Sequence, residues 1–217
     1  MGFLQEKDKE YIRNLFSGME NEVTINYFTQ EIECQYCRET HQILEELAEL
    51  SDKIKLNVYN FVNDKEAAEK YGIDKIPATV IERKQNYGIR YYGIPSGYEF
   101  SSLIEDIVDV SKGNSGLAPE SRELVKQIDS PLRLQVFVTP TCPYCPRAVR
   151  LAHKMAIENP NIVADMVEAT EFPHLSMRYN VRGVPRTMVG EDHAIEGALP
   201  ERQFIENIVN YFKSMKK

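Results

Sequence analysis

The four cysteines of this chain fall into two close pairs, Cys34/Cys37 and Cys142/Cys145, with none elsewhere. A bridge between residues three apart closes so short a loop that it restrains the unfolded chain very little, so the pairs do not read as a stabilising framework. That spacing suits reversible thiol chemistry or the holding of a metal ion. In the first case one thiolate attacks a disulfide, and the second cysteine, nearly a helical turn later, attacks the resulting mixed disulfide and releases the partner. Cys34 and Cys142 are the expected attacking thiols, and Cys37 and Cys145 the resolving ones. In the second case four thiolates would share one zinc ion. Zinc ribbons separate their pairs by about 15 to 20 residues, whereas 104 residues intervene here. The thiol reading is favoured and no metal ligands are expected.

Each pair needs a structural setting that favours a thiolate, and the flanking pattern supplies one. Val23, Ile25 and Tyr27 alternate as in a strand before Cys34, and Ile43, Leu44, Leu47 and Leu50 recur at helical spacing after Cys37. The same order surrounds the second pair, with Leu132, Leu134, Val136 and Val138 before it and Val149, Ala152 and Ala156 after it. A sulfur at a strand-to-helix junction lies beside unpaired backbone N–H groups and the positive end of the helix dipole, which lowers the thiol's pKa.

The two motifs lie 108 positions apart, and so do Pro77 and Pro185. Around those prolines, residues 71–79 lie over residues 179–187 with tyrosine and apolar positions in register. Two landmarks at one spacing identify a duplicated unit. Later the register slips, since Gly93 and Phe100 correspond to Gly197 and Phe204 at an offset of 104, so the second unit has the shorter hairpin. The expected order in each unit is a helix, then β-α-β, then α-β-β-α. Residues 111–116, rich in Gly, Ser and Asn, read as the linker before Pro119 opens a helix, which puts the boundary near Leu117.

Composition narrows the function classes. With 42% hydrophobic and 27% charged residues the chain can build packed cores. A net charge of -7 and no basic run argue against nucleic acid. No apolar stretch reaches membrane-spanning length, and the sequence turns charged directly after its first residues, so a cytoplasmic protein is expected with no membrane association. Met1-Gly2 does not extend into a myristoylation motif, because Glu6 stands where Ser or Thr is required. The histidines lack metal-site spacing, and His41, one turn after Cys37, reads as a solvated helix residue.

With these residues in view, the chain resembles the thioredoxin superfamily over almost its whole length, as two consecutive copies. The tandem with both motifs intact is most similar to the protein disulfide oxidoreductases of hyperthermophilic archaea and bacteria. The resemblance is carried most specifically by residues 136–146, VFVTPTCPYCP, and by residues 165–169. It implies an α/β fold class: two tandem thioredoxin-like folds, residues 1–117 and 118–217, each a central mixed β-sheet flanked by helices. It implies cis peptide bonds at Ile76-Pro77 and Val184-Pro185, with the prolines keeping metal ions from the sulfurs and the preceding backbone pairing with a bound substrate chain. Tyr36 and Tyr144 are expected either to shape substrate access or to pack beside the motif. The implied substrates are protein thiols and disulfides, with a thioredoxin-reductase-like flavoprotein as recycling partner and no cofactor beyond the two redox disulfides. A second reading, an electron carrier between a flavoprotein reductase and a peroxiredoxin, follows from the similarity to the N-terminal region of alkyl hydroperoxide reductase flavoproteins.

The chain also departs from the superfamily pattern. Six positions before the first cysteine, where the superfamily buries an acid, stand Phe28 and Val136. The segment 196–199, EGAL, lacks the glutathione-holding pattern of glutaredoxins. The sites are expected to differ, because Glu31 and Glu33 oppose thiolate formation at Cys34 while Thr139, Pro140 and Thr141 before Cys142 carry no charge. The second site is therefore expected to dominate at neutral pH. With Cys142 as N-cap, Pro146 would also deny its carbonyl the first helical hydrogen bond.

Because the loops closed by the two bridges are so short, reduction is expected to leave the fold intact. Far-ultraviolet circular dichroism of the reduced and oxidised chain should superimpose, and a global loss of signal on reduction would count against this reading.

Overall fold

A computed structural model describes residues 3–216, so Met1-Gly2 and Lys217 lie outside it. The first half runs α1 (Glu6–Phe16), β1 (Val23–Thr29), α2 (Cys37–Ala48), β2 (Ile54–Asn60), α3 (Lys65–Tyr71), β3 (Ala78–Glu82), β4 (Asn86–Tyr92) and α4 (Glu99–Lys112). The second half repeats the order as α5 (Pro119–Val125), β5 (Leu132–Val138), α6 (Cys145–Glu158), β6 (Ile162–Glu168), α7 (Pro173–Arg178), β7 (Arg186–Val189), β8 (His193–Glu196) and α8 (Glu201–Met215). The β7–β8 hairpin is shorter than β3–β4, as the change of offset implies.

Among the described residues the strands form one eight-stranded sheet in the order β2-β1-β3-β4-β6-β5-β7-β8. Each half contributes strands in the same relative order, so the join is head to tail: the outer edge of β4 meets β6, the counterpart of β2. Strands β1 and β2 are parallel, β1 and β4 each run antiparallel to β3, and β4, β6 and β5 are parallel to one another. Thus β1 and β5 point the same way and end at the same edge of the sheet. The central mixed sheet expected in each unit is present, and the two run on edge to edge as one.

Side-chain alternation sorts the core onto the two faces. Ile25, Tyr27, Leu134 and Val136 lie in a cluster with Leu44 and Leu47 of α2, Leu103 and Ile107 of α4, Val149 of α6 and Ile208 of α8. Phe28 and Phe137 face the other way, with Tyr71 of α3 and the Phe172 and Tyr179 that flank α7. The first cluster crosses the join without interruption. Leu117 is buried within it, and Ser111 and Lys112 of the expected linker belong to α4, where Ser111 Oγ donates to the Asn21 carbonyl at 2.7 Å. We propose the junction between α4 and α5 as the boundary of the two units.

The join buries charge. Arg90 of β4 stands opposite Asp165 of β6, donating from Nε to Oδ1 at 2.6 Å, and Arg133 of β5 donates to Oδ2 at 2.7 Å. Asp165 is fully buried and Arg90 nearly so. On the helical face, Asp106 of α4 pairs with Arg150 and with His153 Nδ1 of α6, the latter at 2.5 Å. Burial, with the adjacent Arg150 charge, depresses the His153 pKa to about 3, so its neutral ring donates to Asp106.

Removing one member of such a buried group strands the others. Asp165→Ala should lower stability by about 3–5 kcal/mol. Urea denaturation followed by circular dichroism checks this, and a loss below about 1 kcal/mol would show that the ion pair does not hold the halves together.

Candidate active sites

Both cysteine pairs are disulfide-bonded, with Cα atoms 5.5 Å apart in each. They occupy the ends of β1 and β5, where the chain turns into α2 and α6. The helices begin at Cys37 and Cys145, with Tyr36 and Tyr144 as N-caps. The first intrahelical bond of α2 runs from Thr40 N–H to the Tyr36 carbonyl at 2.9 Å. This corrects the expected capping: Cys142 is not the N-cap, and Pro146 falls in the first turn, where no intrahelical donor is required. The proline therefore costs Cys142 no hydrogen bond, and that part of the expected asymmetry is withdrawn.

Four strand spacings of about 4.8 Å separate β1 from β5, roughly 19 Å. A single zinc ion bonds sulfur at about 2.3 Å, so the two pairs do not form one tetrahedral set.

Ile76-Pro77 and Val184-Pro185 are both cis. The second lies against its motif, with Cys142 Sγ 3.7 Å from the Val184 carbonyl oxygen, a distance at which the thiol form donates an S–H hydrogen bond. Pro77 and Pro185 are tied alike, their carbonyls accepting from Gly93 N–H at 2.9 Å and Gly197 N–H at 2.8 Å. The resolving cysteines are enclosed, Cys37 at 3% and Cys145 at 0% exposure. The leading cysteines differ: Cys34 is half-buried and Cys142 is 7% exposed. Tyr144 projects into solvent at 70% exposure, so it is not a packed aromatic, while Tyr36 is half-buried. His41 is not simply solvated, since its ring stacks on Tyr27 at 5.6 Å and Nε2 lies 3.4 Å from Glu45.

The missing buried acid takes a different form in each half. In the sheet Tyr27 pairs with Thr79 and Val136 with Thr187, so the counterpart of Val136 is Tyr27 and not Phe28. One extra residue between β1 and Cys34 shifts the count. The Tyr27 hydroxyl donates to the Cys37 carbonyl at 2.6 Å beneath α2. Burial raises its pKa well above the phenol range, so it remains protonated.

Two carboxylates that sequence spacing does not single out stand where the halves meet. Glu171, in the loop after β6, accepts from Ile94 N–H of the first half at 2.6 Å. Glu99, the first residue of α4, is 1% exposed. It follows a turn docked on the second motif's loop, where Tyr98 N–H donates to the Pro140 carbonyl at 3.1 Å. Gly97 has φ +61°, and a Cβ there would overlap that carbonyl. Burial raises the pKa of Glu99 to about 7. Burial raises Glu171 to about 7 too, opposed by the Ile94 hydrogen bond and reinforced by the Glu168 charge. Neither contact is visible in a local sequence window.

Known proteins agree with this architecture. A family model described as a thioredoxin domain matches residues 132–210, and a family described as a domain of unknown function matches residues 8–94. An alkyl hydroperoxide reductase of Staphylococcus epidermidis is 31% identical over 152 residues, covering 68% of this chain and 26% of that protein. The chain thus spans about a quarter of the length of the curated relatives it matches. A protein disulfide oxidoreductase from Aeropyrum pernix superimposes with a TM-score of 0.90 at 28% identity, covering 97% of this chain and 94% of that one. The N-terminal domain of alkyl hydroperoxide reductase AhpF from Enterococcus faecalis gives 0.88 at 25% identity, covering 95% and 100%.

A raised carboxyl has a definite signature in stability. Between the ordinary value of 4.5 and about 7 the folded chain holds a proton at Glu99 that the unfolded chain has released. Stability therefore falls as pH rises through that window, and the whole penalty, at most about 3 kcal/mol, is present above it. Glu99→Gln should gain in melting temperature relative to the parent between pH 5 and pH 8. A calorimetric difference that stays constant across that range would refute the assignment.

From the fold, the paired motifs and these likenesses together, the chain belongs to the thioredoxin superfamily, as two thioredoxin-like units in tandem that each carry a Cys-x-x-Cys site.

Proposed function

We propose that this chain is a protein thiol-disulfide oxidoreductase that works through both sites. The observation that carries the reading is the recurrence, in each half, of a disulfide-bonded pair at a helix N-terminus with a cis X-Pro segment beside the same sheet edge. In reduction, the Cys142 thiolate attacks a substrate disulfide, breaking its S–S bond and releasing one substrate thiolate. Cys145 then attacks Cys142 Sγ, releasing the second thiolate and leaving the enzyme disulfide. Cys34 and Cys37 act in the same way, and oxidation runs the steps in reverse.

The substrate chain pairs with backbone at Ile76 and Val184, beside Pro77 and Pro185, while Tyr36 and the exposed Tyr144 border the approach. The 3.7 Å contact of Cys142 with Val184 supports that placement in the second half. The redox groups are the two disulfides, with no dissociable cofactor. Among the described residues no helix is long and apolar enough to cross a membrane, and the acidic chain suits soluble protein partners in the cytoplasm.

A flavoprotein of the thioredoxin-reductase kind is the proposed source of electrons. The similarity to alkyl hydroperoxide reductases favours a second reading, transfer from a flavoprotein to a peroxiredoxin. That route uses the same sulfur chemistry with a different terminal acceptor.

Insulin reduction with dithiothreitol tests the function. The parent chain should accelerate precipitation of the B chain, and the double variant Cys34→Ser/Cys142→Ser should return the rate to the uncatalysed background. Substantial turnover by the double variant would sink the mechanism.

A further inference from the structure

Beside the second motif the molecule leaves aromatic surface open. Phe3, Tyr11 and Tyr98 are exposed, and with Leu4 and Phe100 they border a groove of about 440 Å³ above the buried Ile12 and Ile104. That volume lies within the range of clefts that hold a small ligand, about 300–1,000 Å³. Asp8 is the one charged side chain among the described lining residues. The groove is built from the segment before α1, from α1 and from the start of α4, all in the first half of the chain.

Both walls are held in place. Glu46 of α2, itself nearly buried, accepts from Phe3 N–H at 2.7 Å and from Leu4 N–H at 2.9 Å, which fixes the segment before α1. On the other side Tyr98 N–H donates to the Pro140 carbonyl at 3.1 Å, and Gly97 lies so close that a Cβ would overlap that carbonyl. This contact carries the groove up to the loop of the second motif. Pro140 stands two residues before Cys142, a backbone reach of at most about 7 Å. An extended chain advances about 3.3 Å per residue, so a side chain two to four residues from a client's reacting cysteine can enter the groove. Beside the first motif the hollow has a different chemistry, with Glu31, Glu33, Asn60 and Asn63 along it.

Resting on the thiol-disulfide reading above, we propose that this groove of the first half is a docking subsite of the second site, taking an aromatic or large aliphatic side chain of an unfolded client polypeptide. Three observations support the occupant. The groove is continuous with the Cys142 loop, so a chain bound at the sulfur runs into it. Its border is aromatic, and tyrosine rings offer large contact area at low cost in conformational entropy. Its single charge is negative, which favours neutral or basic segments over acidic ones. Large apolar residues near a cysteine are enclosed in most folded proteins and become available when a chain is unfolded. A preference for them would direct the second site toward clients whose disulfides are still being sorted.

The test uses the full chain with Cys34→Ser/Cys37→Ser, so that only the second site turns over. Disulfide-linked peptides carry Trp or Gly three residues from the cysteine, in each direction, and kcat/KM for their reduction is compared. Trp should be favoured about tenfold in one direction, the low end of what burying an aromatic side chain contributes. Adding Tyr11→Ser/Tyr98→Ser should bring the ratio close to one. General damage to the fold would slow both peptides alike and leave the ratio in place, and that result overturns the proposal. A ratio near one before those substitutions overturns it too. So does an equal preference at the first site, measured in Cys142→Ser/Cys145→Ser.

The chain contains no tryptophan, so a Trp peptide reports on its own surroundings. Coupled as an activated disulfide to Cys142 in Cys34→Ser/Cys37→Ser/Cys145→Ser, its emission should move to shorter wavelength and lose most of its quenching by acrylamide. Emission like that of the free peptide overturns the proposal with the groove unaltered. Sedimentation that shows a dimer broken by Tyr11→Ser/Tyr98→Ser makes a second copy the occupant and overturns it as well. Absence of turnover with every peptide would count against the oxidoreductase reading, while the coupled peptide still decides whether the groove is filled.

Discussion

The pairing of β4 with β6 is the constraint on which the rest of this molecule depends. A parallel pair between two halves aligns all of their strands, and this one is locked by Asp165 between Arg90 and Arg133. Burying a carboxylate is costly unless its partners arrive with good geometry, so few arrangements of the halves satisfy all three groups. The Asp106, Arg150 and His153 group fixes α4 against α6 on the helical face in the same way. With both layers pinned, the join has little freedom to slide or rotate.

Parallel alignment places both strand-to-helix junctions at one edge of the sheet. Each disulfide sits where β1 or β5 ends, beside orphan N–H groups that favour a thiolate. The separation of about four strand spacings keeps the two sulfur pairs chemically independent. They share a rigid base and a common direction of approach without sharing a site.

The join is head to tail, so repeats that match in sequence need not have matching surroundings. A twofold arrangement would present the same surface to each site, whereas here β4 of one half meets β6 of the other. The first site has Tyr27 beneath its helix, and its leading cysteine is half-buried. The second has Val136 in the equivalent place, the turn before Glu99 docked on its loop, and a more enclosed Cys142. The acidic residues before Cys34 add to a difference that is mainly tertiary in origin.

The sequence by itself determined the local and repeated features. Strand alternation and helical spacing set the element order, because burial of one face imposes a period of two or 3.6 on any such segment. The two motifs and the two X-Pro dipeptides are legible because each is a short run of residue types with particular covalent chemistry. The shared offset of 108 makes the duplication visible as well. The expected cap at Cys142 stands two residues before the observed one at Tyr144, since the turn from strand to helix takes up most of the motif before the first helical bond forms. The position of the superfamily's buried acid, expected at Phe28, is off by one and falls on Tyr27, because a loop insertion leaves strand register untouched while shifting any count taken from the cysteine. Only the tertiary structure decided that one sheet would run through both halves, and which carboxylates would be enclosed where they meet. Asp165 finds Arg90 75 residues away and Glu171 finds Ile94 77 residues away, and contacts at such separations leave no periodicity in the chain. They arise because buried charges and unpaired amides must be satisfied by whatever the packed halves bring within reach.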